Sequence, residues 1–186
     1  MPFTKTDFPG LLIFEPVVFN DSRGYFFESY NANTCLAEGV SIKFVQDNQA
    51  KSSYGVIRGL HYQLSPHAQT KFIRVLSGSI LDVVVDLRKG SPAFGKPYSI
   101  ELSAENHKQL LVPQGFAHGY AVLSDTAEVL YKCDTFYHKD SEAGIAFNDH
   151  TLNIDWMIPP VKQIISEKDI IQPSFADCKN NFVFNP

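Results

Sequence analysis

Three short segments carry residue types that could do chemistry. Gly59-Leu60-His61-Tyr62-Gln63 sets an imidazole and an amide two residues apart. On an extended strand alternate side chains share a face, so His61 and Gln63 point one way and Tyr62 the other. An imidazole there can move protons near neutral pH or ligate a metal, and it can equally be a hydrogen-bonded structural histidine. Lys71 lies in Gln69-Thr70-Lys71-Phe72-Ile73-Arg74, at the head of an apolar run. Taken by itself it reads as a solvated lysine at a strand edge. In Pro113-Gln114-Gly115-Phe116-Ala117-His118-Gly119 the Pro and Gly make a turn that delivers His118 to the start of a strand.

These groups must be held by β-structure. Strand-like runs bounded by turn residues dominate the chain: Leu11–Phe19, Lys43–Ser52, Ile57–Gln63, Lys71–Ser77, Ser79–Leu87, Tyr98–Leu102, Gln109–Val112, Gly119–Leu123 and Ala127–Phe136. Gly78 separates Lys71–Ser77 from Ser79–Leu87 and suggests a tight hairpin. In Ser79–Leu87, Leu81, Val83, Val85 and Leu87 share one face, while Ile80, Asp82, Val84 and Asp86 share the other. Asn20–Gly24 reads as a turn. Asn31–Gly39 reads as a short helix, capped by Asn31 or Asn33 and stopped by Gly39. From Thr151 onward the chain turns often, with room for one brief helix. Many short strands with regular turns indicate a sandwich, jelly roll or barrel.

The pattern P-x-G-x-x-H ending at His118 resembles the second signature of cupin barrels. The first signature normally carries H-x-H and a later Glu as metal ligands. Here that slot reads His61-Tyr62-Gln63, and Lys71 follows where a carboxylate is expected. A neutral amide and a cation make a poor transition-metal ligand set. The slot therefore reads as a metal site converted to acid–base use. A wider set of segments resembles the dTDP-4-dehydrorhamnose 3,5-epimerase family: Asp21-Ser22-Arg23-Gly24-Tyr25-Phe26-Phe27-Glu28, Phe44–Ser52, Gly55–Gln63, Pro66–Lys71, Pro113–Gly119, Leu130-Tyr131-Lys132 and Ile165-Ser166-Glu167-Lys168-Asp169. They stand in the family's order from about Pro9 to Asp169. Residues 170–186 add no motif.

The resemblance implies a mainly β, cupin-type jelly-roll barrel with a few short helices, mostly C-terminal, in one domain over 1–186. It implies a cofactor-free, metal-free enzyme that inverts C5 and C3 of a dTDP-linked 4-keto-6-deoxyhexose through an enolate. His61 is then the base, Asp169 orients it, Lys71 holds the enolate oxygen and Tyr131 returns a proton to the opposite face. On its own, Tyr131 would read as a core or rim aromatic. Arg23, Glu28, Gln46, Asp47, Asn48, Arg58, His118, Glu142 and Lys168 match the family's binding positions, and Phe26 or Tyr137 could stack on the thymine. The resemblance further implies a homodimer in which the segment of Arg23 and Glu28 serves the partner's site. The alternatives are an epimerase acting at C3 or C5 alone, a non-catalytic sugar-nucleotide-binding cupin, and a metal-dependent cupin using His61, His118 and a carboxylate such as Glu101.

Composition sets the outer bounds. The chain has 186 residues, 44% hydrophobic and 13% aromatic, so it can bury one real core. A net charge of -4 excludes the basic surface that nucleic acids require. The opening MPFTKTDFPG lacks a signal-peptide apolar core, and no run reaches the length of a membrane span. Cys35, Cys133 and Cys178 are odd in number and form no CxxC pair, which suits reduced thiols in a cytoplasm. Cys133→Ser is accordingly expected to leave turnover unchanged.

Overall fold

The computed structural model describes residues 2–185. The strands in chain order are β1 (Phe3–Lys5), β2 (Leu12–Phe14), β3 (Phe19–Asp21), β4 (Gly24–Phe26), β5 (Gln46–Ser53), β6 (Val56–Gln63), β7 (Lys71–Ser77), β8 (Ser79–Asp86), β9 (Pro97–Ser103), β10 (Gln109–Val112), β11 (Phe116–Val122), β12 (Thr126–Cys133), β13 (Glu142–Gly144) and β14 (Ile164–Ile165). Helix α1 spans Ala32–Ala37 and α2 spans Glu167–Ile170. Two 3-10 turns lie at Lys139–Ser141 and Pro160–Lys162.

One sheet has the order β1-β2-β10-β7-β12-β5. The second runs β13-β6-β11-β8-β9, with β14 beside β6. The two face each other as a cupin-type jelly roll, and β3 and β4 form a separate two-stranded hairpin. The alternation read in Ser79–Leu87 explains the layering. Ile80 and Val84 of β8 point inward and meet Ile73, Leu110, Val112 and Val129 of the facing sheet. Leu81, Val83 and Val85 point outward and are covered by Ile145, Trp156, Ile158 and Phe182 from the C-terminal segment. A smaller cluster of Phe14, Cys35, Val40, Phe72 and Leu111 seats the α1 region on the outer face of the first sheet. The C-terminal residues that carry no motif thus finish a core. Tyr62, opposed to His61 as expected, packs there and donates to the Lys179 carbonyl at 2.5 Å.

Two expectations need correction. Gly78 does not close a hairpin: β7 pairs with β10 and β12, while β8 pairs with β9 and β11 in the other sheet. A one-residue link is too short to pair its flanking strands. At Gly78 the chain crosses between sheets, with φ 75° and so close to the Thr126 carbonyl that a side chain has no room. The run Leu11–Phe19 breaks at Phe14, because Pro16 follows and cannot donate to a ladder. Helix α1 is capped by Asn31, whose side chain accepts from the amides of Asn33 and Thr34.

Candidate active site

The inner faces of the two sheets bring the expected groups together. His61 lies on β6 and pairs in register with His118 on β11. Two glycines permit that approach. A methyl group on Gly59 would lie 2.6 Å from the Gly119 Cα, and one on Gly119 would lie 2.7 Å from the Arg58 carbonyl oxygen. On the facing sheet, Lys71 of β7 stands opposite Cys133 of β12, and Tyr131 stands opposite Asn48 of β5. The Lys71 Nζ lies 5.9 Å from the centre of the Tyr131 ring.

Two adjoining clefts, of about 460 and about 210 Å³, open here. His61, Lys71 and Tyr131 are the residues common to both. The larger cleft adds Arg58, His118, Tyr120, Lys168 and Asp169, over an apolar wall that includes Val56 and Ile164. The smaller adds Gln46, Asn48, Gln63, Gln69, Tyr137 and Glu142.

Asp169 is buried, and its Oδ1 lies 2.5 Å from the His61 Nε2. Its Oδ2 accepts from the Gly59 amide at 3.4 Å. Burial by itself would raise the pKa of this carboxyl, but the hydrogen bonds from His61 and Gly59 outweigh it and hold the group below the usual range. A carboxylate on Nε2–H leaves Nδ1 as the nitrogen that takes a proton. Burial lowers the pKa of the Lys71 ammonium, against the pull of Cys133, Asp82 and Glu142. The Tyr131 phenol is pushed up to about 12, chiefly by burial. It therefore keeps its proton throughout the neutral range.

The binding positions divide. Arg58 donates to the Ser52 hydroxyl at 3.1 Å. Lys168 meets Glu142 at 2.5 Å, and Tyr137 donates to the same carboxylate at 3.1 Å. Burial pushes the pKa of Glu142 up, but Lys168 and Tyr137 together bring it below normal. Gln46 donates to Asn48 at 2.9 Å, and Asn48 to the Cys133 Sγ at 3.6 Å. Asp47 lies outside both clefts. It sits between two inward residues on β5, so alternation turns it outward to Lys132 at 3.1 Å. Arg23 and Glu28 also lie outside. Arg23 is in the exposed β3–β4 turn, bonded to Asp21, and Glu28 accepts from Asn31. Phe26 is exposed on the same hairpin, whereas Tyr137 lines the smaller cleft. Glu101 is exposed on β9.

Gln63, in the slot where cupins place a second histidine, spends its amide on loops. It donates to the carbonyls of His67 and Phe136 and accepts from the His138 amide at 2.6 Å. Among the described residues, no three His, Cys, Asp or Glu side chains converge as a metal ligand set.

Sequence reasoning missed three residues. Asp82 is fully buried and its Oδ2 accepts from the His118 Nε2 at 2.9 Å. Burial lowers the pKa of His118 despite Asp82, so His118 is a neutral imidazole. The available signal was a carboxylate on the core-facing side of an apolar strand. Cys133 stands opposite Lys71 in the pairing of β12 with β7, so Cys133→Ser changes a group that adjoins the clefts. Tyr120 lines the larger cleft two residues after His118.

The match of residues 5–177 to the family model for dTDP-4-dehydrorhamnose 3,5-epimerase decides the classification. The chain belongs to the dTDP-4-dehydrorhamnose 3,5-epimerase family. It is 51% identical over 178 residues to the dTDP-4-dehydrorhamnose 3,5-epimerase of Shigella flexneri, covering 95% of this chain and 97% of that protein. The crystal structure of the epimerase from Elizabethkingia anophelis matches with TM-score 0.91 and 53% identity over 96% of this chain and 98% of that one. The dTDP-6-deoxy-D-glucose-3,5-epimerase of Legionella pneumophila, solved in complex with dTDP-4-keto-L-rhamnose, matches with TM-score 0.90 and 42% identity over 94% and 93%.

Proposed function

We propose that this chain is a dTDP-4-dehydrorhamnose 3,5-epimerase that converts a dTDP-linked 4-keto-6-deoxyglucose to dTDP-4-dehydrorhamnose without a cofactor. The observation that carries the reading is the sharing of His61, Lys71 and Tyr131 by both clefts, with His61 on one sheet and the other two on the opposite one. A hexose ring seated between the sheets meets a base on one face and a proton donor on the other.

The hydrogens on C3 and C5 are acidic because the carbanion delocalises onto the C4 ketone. His61 takes the C5 proton at Nδ1, and the C–H electron pair moves to the ketone oxygen as an enolate. The Lys71 ammonium stabilises that oxygen, where charge appears only as the transition state is approached. Tyr131 then protonates the carbon on the opposite face and regains its proton from solvent, while the His61 imidazolium loses its own. Asp169 supports the imidazolium during the step. The same sequence at C3 completes the double inversion, with no net redox change. Arg58 and Lys168 supply positive charge toward the diphosphate in a chain that is acidic overall.

The reading extends to a cytoplasmic homodimer. Its support is three unpaired cysteines and a hairpin that exposes Phe19, Tyr25 and Phe26 beside Arg23, outside this chain's own clefts. No helix among the described residues is long and apolar enough to cross a membrane.

The test is incubation with dTDP-4-keto-6-deoxyglucose in deuterated water. Deuterium at both C3 and C5 is expected. Label at only one carbon replaces the reading with a C3-only or C5-only epimerase, and label at neither overturns it.

A further inference from the structure

The proposed chemistry leaves one polar group in the larger cleft without a task. Tyr120 is 4% exposed, and its hydroxyl oxygen has no hydrogen-bond partner among the described residues. Buried tyrosine hydroxyls usually find a partner, because leaving one unmade forfeits what water offered in the unfolded chain. A phenylalanine would fill the same space without that cost. The surroundings do not remedy the deficit. Arg58, opposite Tyr120 on β6, gives its Nε–H to Ser52. Asp82, opposite it on β8, gives Oδ2 to His118, and its own Oδ1 is likewise without a partner. Burial raises the pKa of the Tyr120 phenol against Arg58 and the neighbouring Ser52 hydroxyl, whose approach falls short of hydrogen-bond geometry, so the group is a neutral donor.

We infer that Tyr120 is a substrate-contacting residue whose hydroxyl donates to a hydroxyl oxygen of the hexose ring. The inference rests on the epimerase reading and deepens it. The place of Tyr120 in the cleft selects the ligand atom. Tyr120 lines the cleft that also holds His61, Lys71 and Tyr131, so its reach is to the sugar at their junction. A sugar hydroxyl is neutral and accepts readily. A contact of this kind, made in ground state and transition state alike, sets substrate affinity rather than turnover.

The test is Tyr120→Phe. Calorimetric affinities for dTDP and for the unreactive probe dTDP-glucose are compared with the wild-type protein, together with thermal midpoints of the free proteins and kcat and KM for the keto-sugar. The expected result is an unchanged affinity for dTDP and a loss of roughly 3- to 10-fold for dTDP-glucose, the range of one neutral hydrogen bond. KM rises by a similar factor with kcat retained, and the thermal midpoint is equal to or above wild type. A lower midpoint with unchanged dTDP-glucose affinity makes the phenol a structural group and overturns the inference. Equal weakening of both ligands moves the contact to the nucleotide or phosphates and overturns it as well. If wild-type protein binds both ligands but incorporates no deuterium, the epimerase reading fails while the Tyr120 contact is still decided by the affinities. If wild-type protein binds neither ligand, both fail.

Discussion

At the scale of single residues, one cause, burial, shifts two neighbouring groups in opposite directions. Burial lowers the pKa of Lys71 and raises that of Tyr131 to about 12. Lys71 must be protonated to stabilise an enolate, so the rate falls as pH rises through its lowered pKa, below the ordinary lysine range. Tyr131 keeps its proton well beyond that point and cannot set this limb. Lys71→Met should therefore reduce kcat by orders of magnitude and also remove the basic limb of the pH–rate profile; persistence of the limb in the variant would disprove the assignment. His61, Lys71, Tyr131 and Asp169 were legible in the sequence because the family's segments carry them in order. Asp82 and Tyr120 were not, since a buried carboxylate and a buried phenol in apolar strands look like exceptions to a core pattern until the facing strand is known. Asp47 shows the converse: it lies in a matching segment, yet the period of the strand turns it away from the clefts.

At the scale of elements, the site depends on how closely β6 and β11 approach. Gly119 has no room for a methyl group, which would stand 2.7 Å from the Arg58 carbonyl oxygen and 3.3 Å from the Gly59 Cα. Gly119→Ala should cost about 1–3 kcal/mol in denaturant unfolding and sharply lower turnover, because His61 and His118 ride on the strands it separates. Wild-type stability and rate in that variant would show that the approach is not needed. A second device ties the C-terminal segment to the barrel. Asp149 accepts from the amides of Thr151 and Leu152 at 2.9 Å each and of Phe175 at 2.8 Å. Burial alone would raise its pKa, but these amides outweigh that and lower it. Its stabilisation is therefore complete above the ordinary aspartate range and is lost as pH falls through the lowered pKa. Asp149→Ala should cost about 1–3 kcal/mol at neutral pH, with the gap to wild type narrowing in acid; a gap independent of pH would contradict this. Most strands were legible from alternation and turn residues. Which strands pair was not. The one-residue link at Gly78 suggests a hairpin locally, while the inward and outward faces of β8 are satisfied only when β7 and β8 belong to different sheets.

At the scale of the whole molecule, two covering layers flank the barrel: the α1 region on one sheet and most of residues 145–182 on the other, from which Ile164–Asp169 turn in to line the larger cleft. The second layer includes Phe182, beyond the last motif. Its ring closes the outer core beside Tyr62, at 6.2 Å between centroids. Phe182→Ala should cost about 3–5 kcal/mol by chemical denaturation, with kcat nearly unchanged in the folded protein, since the cleft lies on the other face of the sheet. Near-wild-type stability would mean the tail is dispensable. No local motif marked this role, because a covering layer is defined by the surface it must hide.

The central claim is that His61 and Tyr131 address opposite faces of one ring. It is tested most directly by following solvent deuterium and stereochemistry together in His61→Ala and Tyr131→Phe. The account predicts that Tyr131→Phe still exchanges the C5 hydrogen, because His61 can remove and return it on one face, but yields little inverted product. His61→Ala should do neither. Exchange that survives in His61→Ala, or inversion that survives undiminished in Tyr131→Phe, would contradict the account.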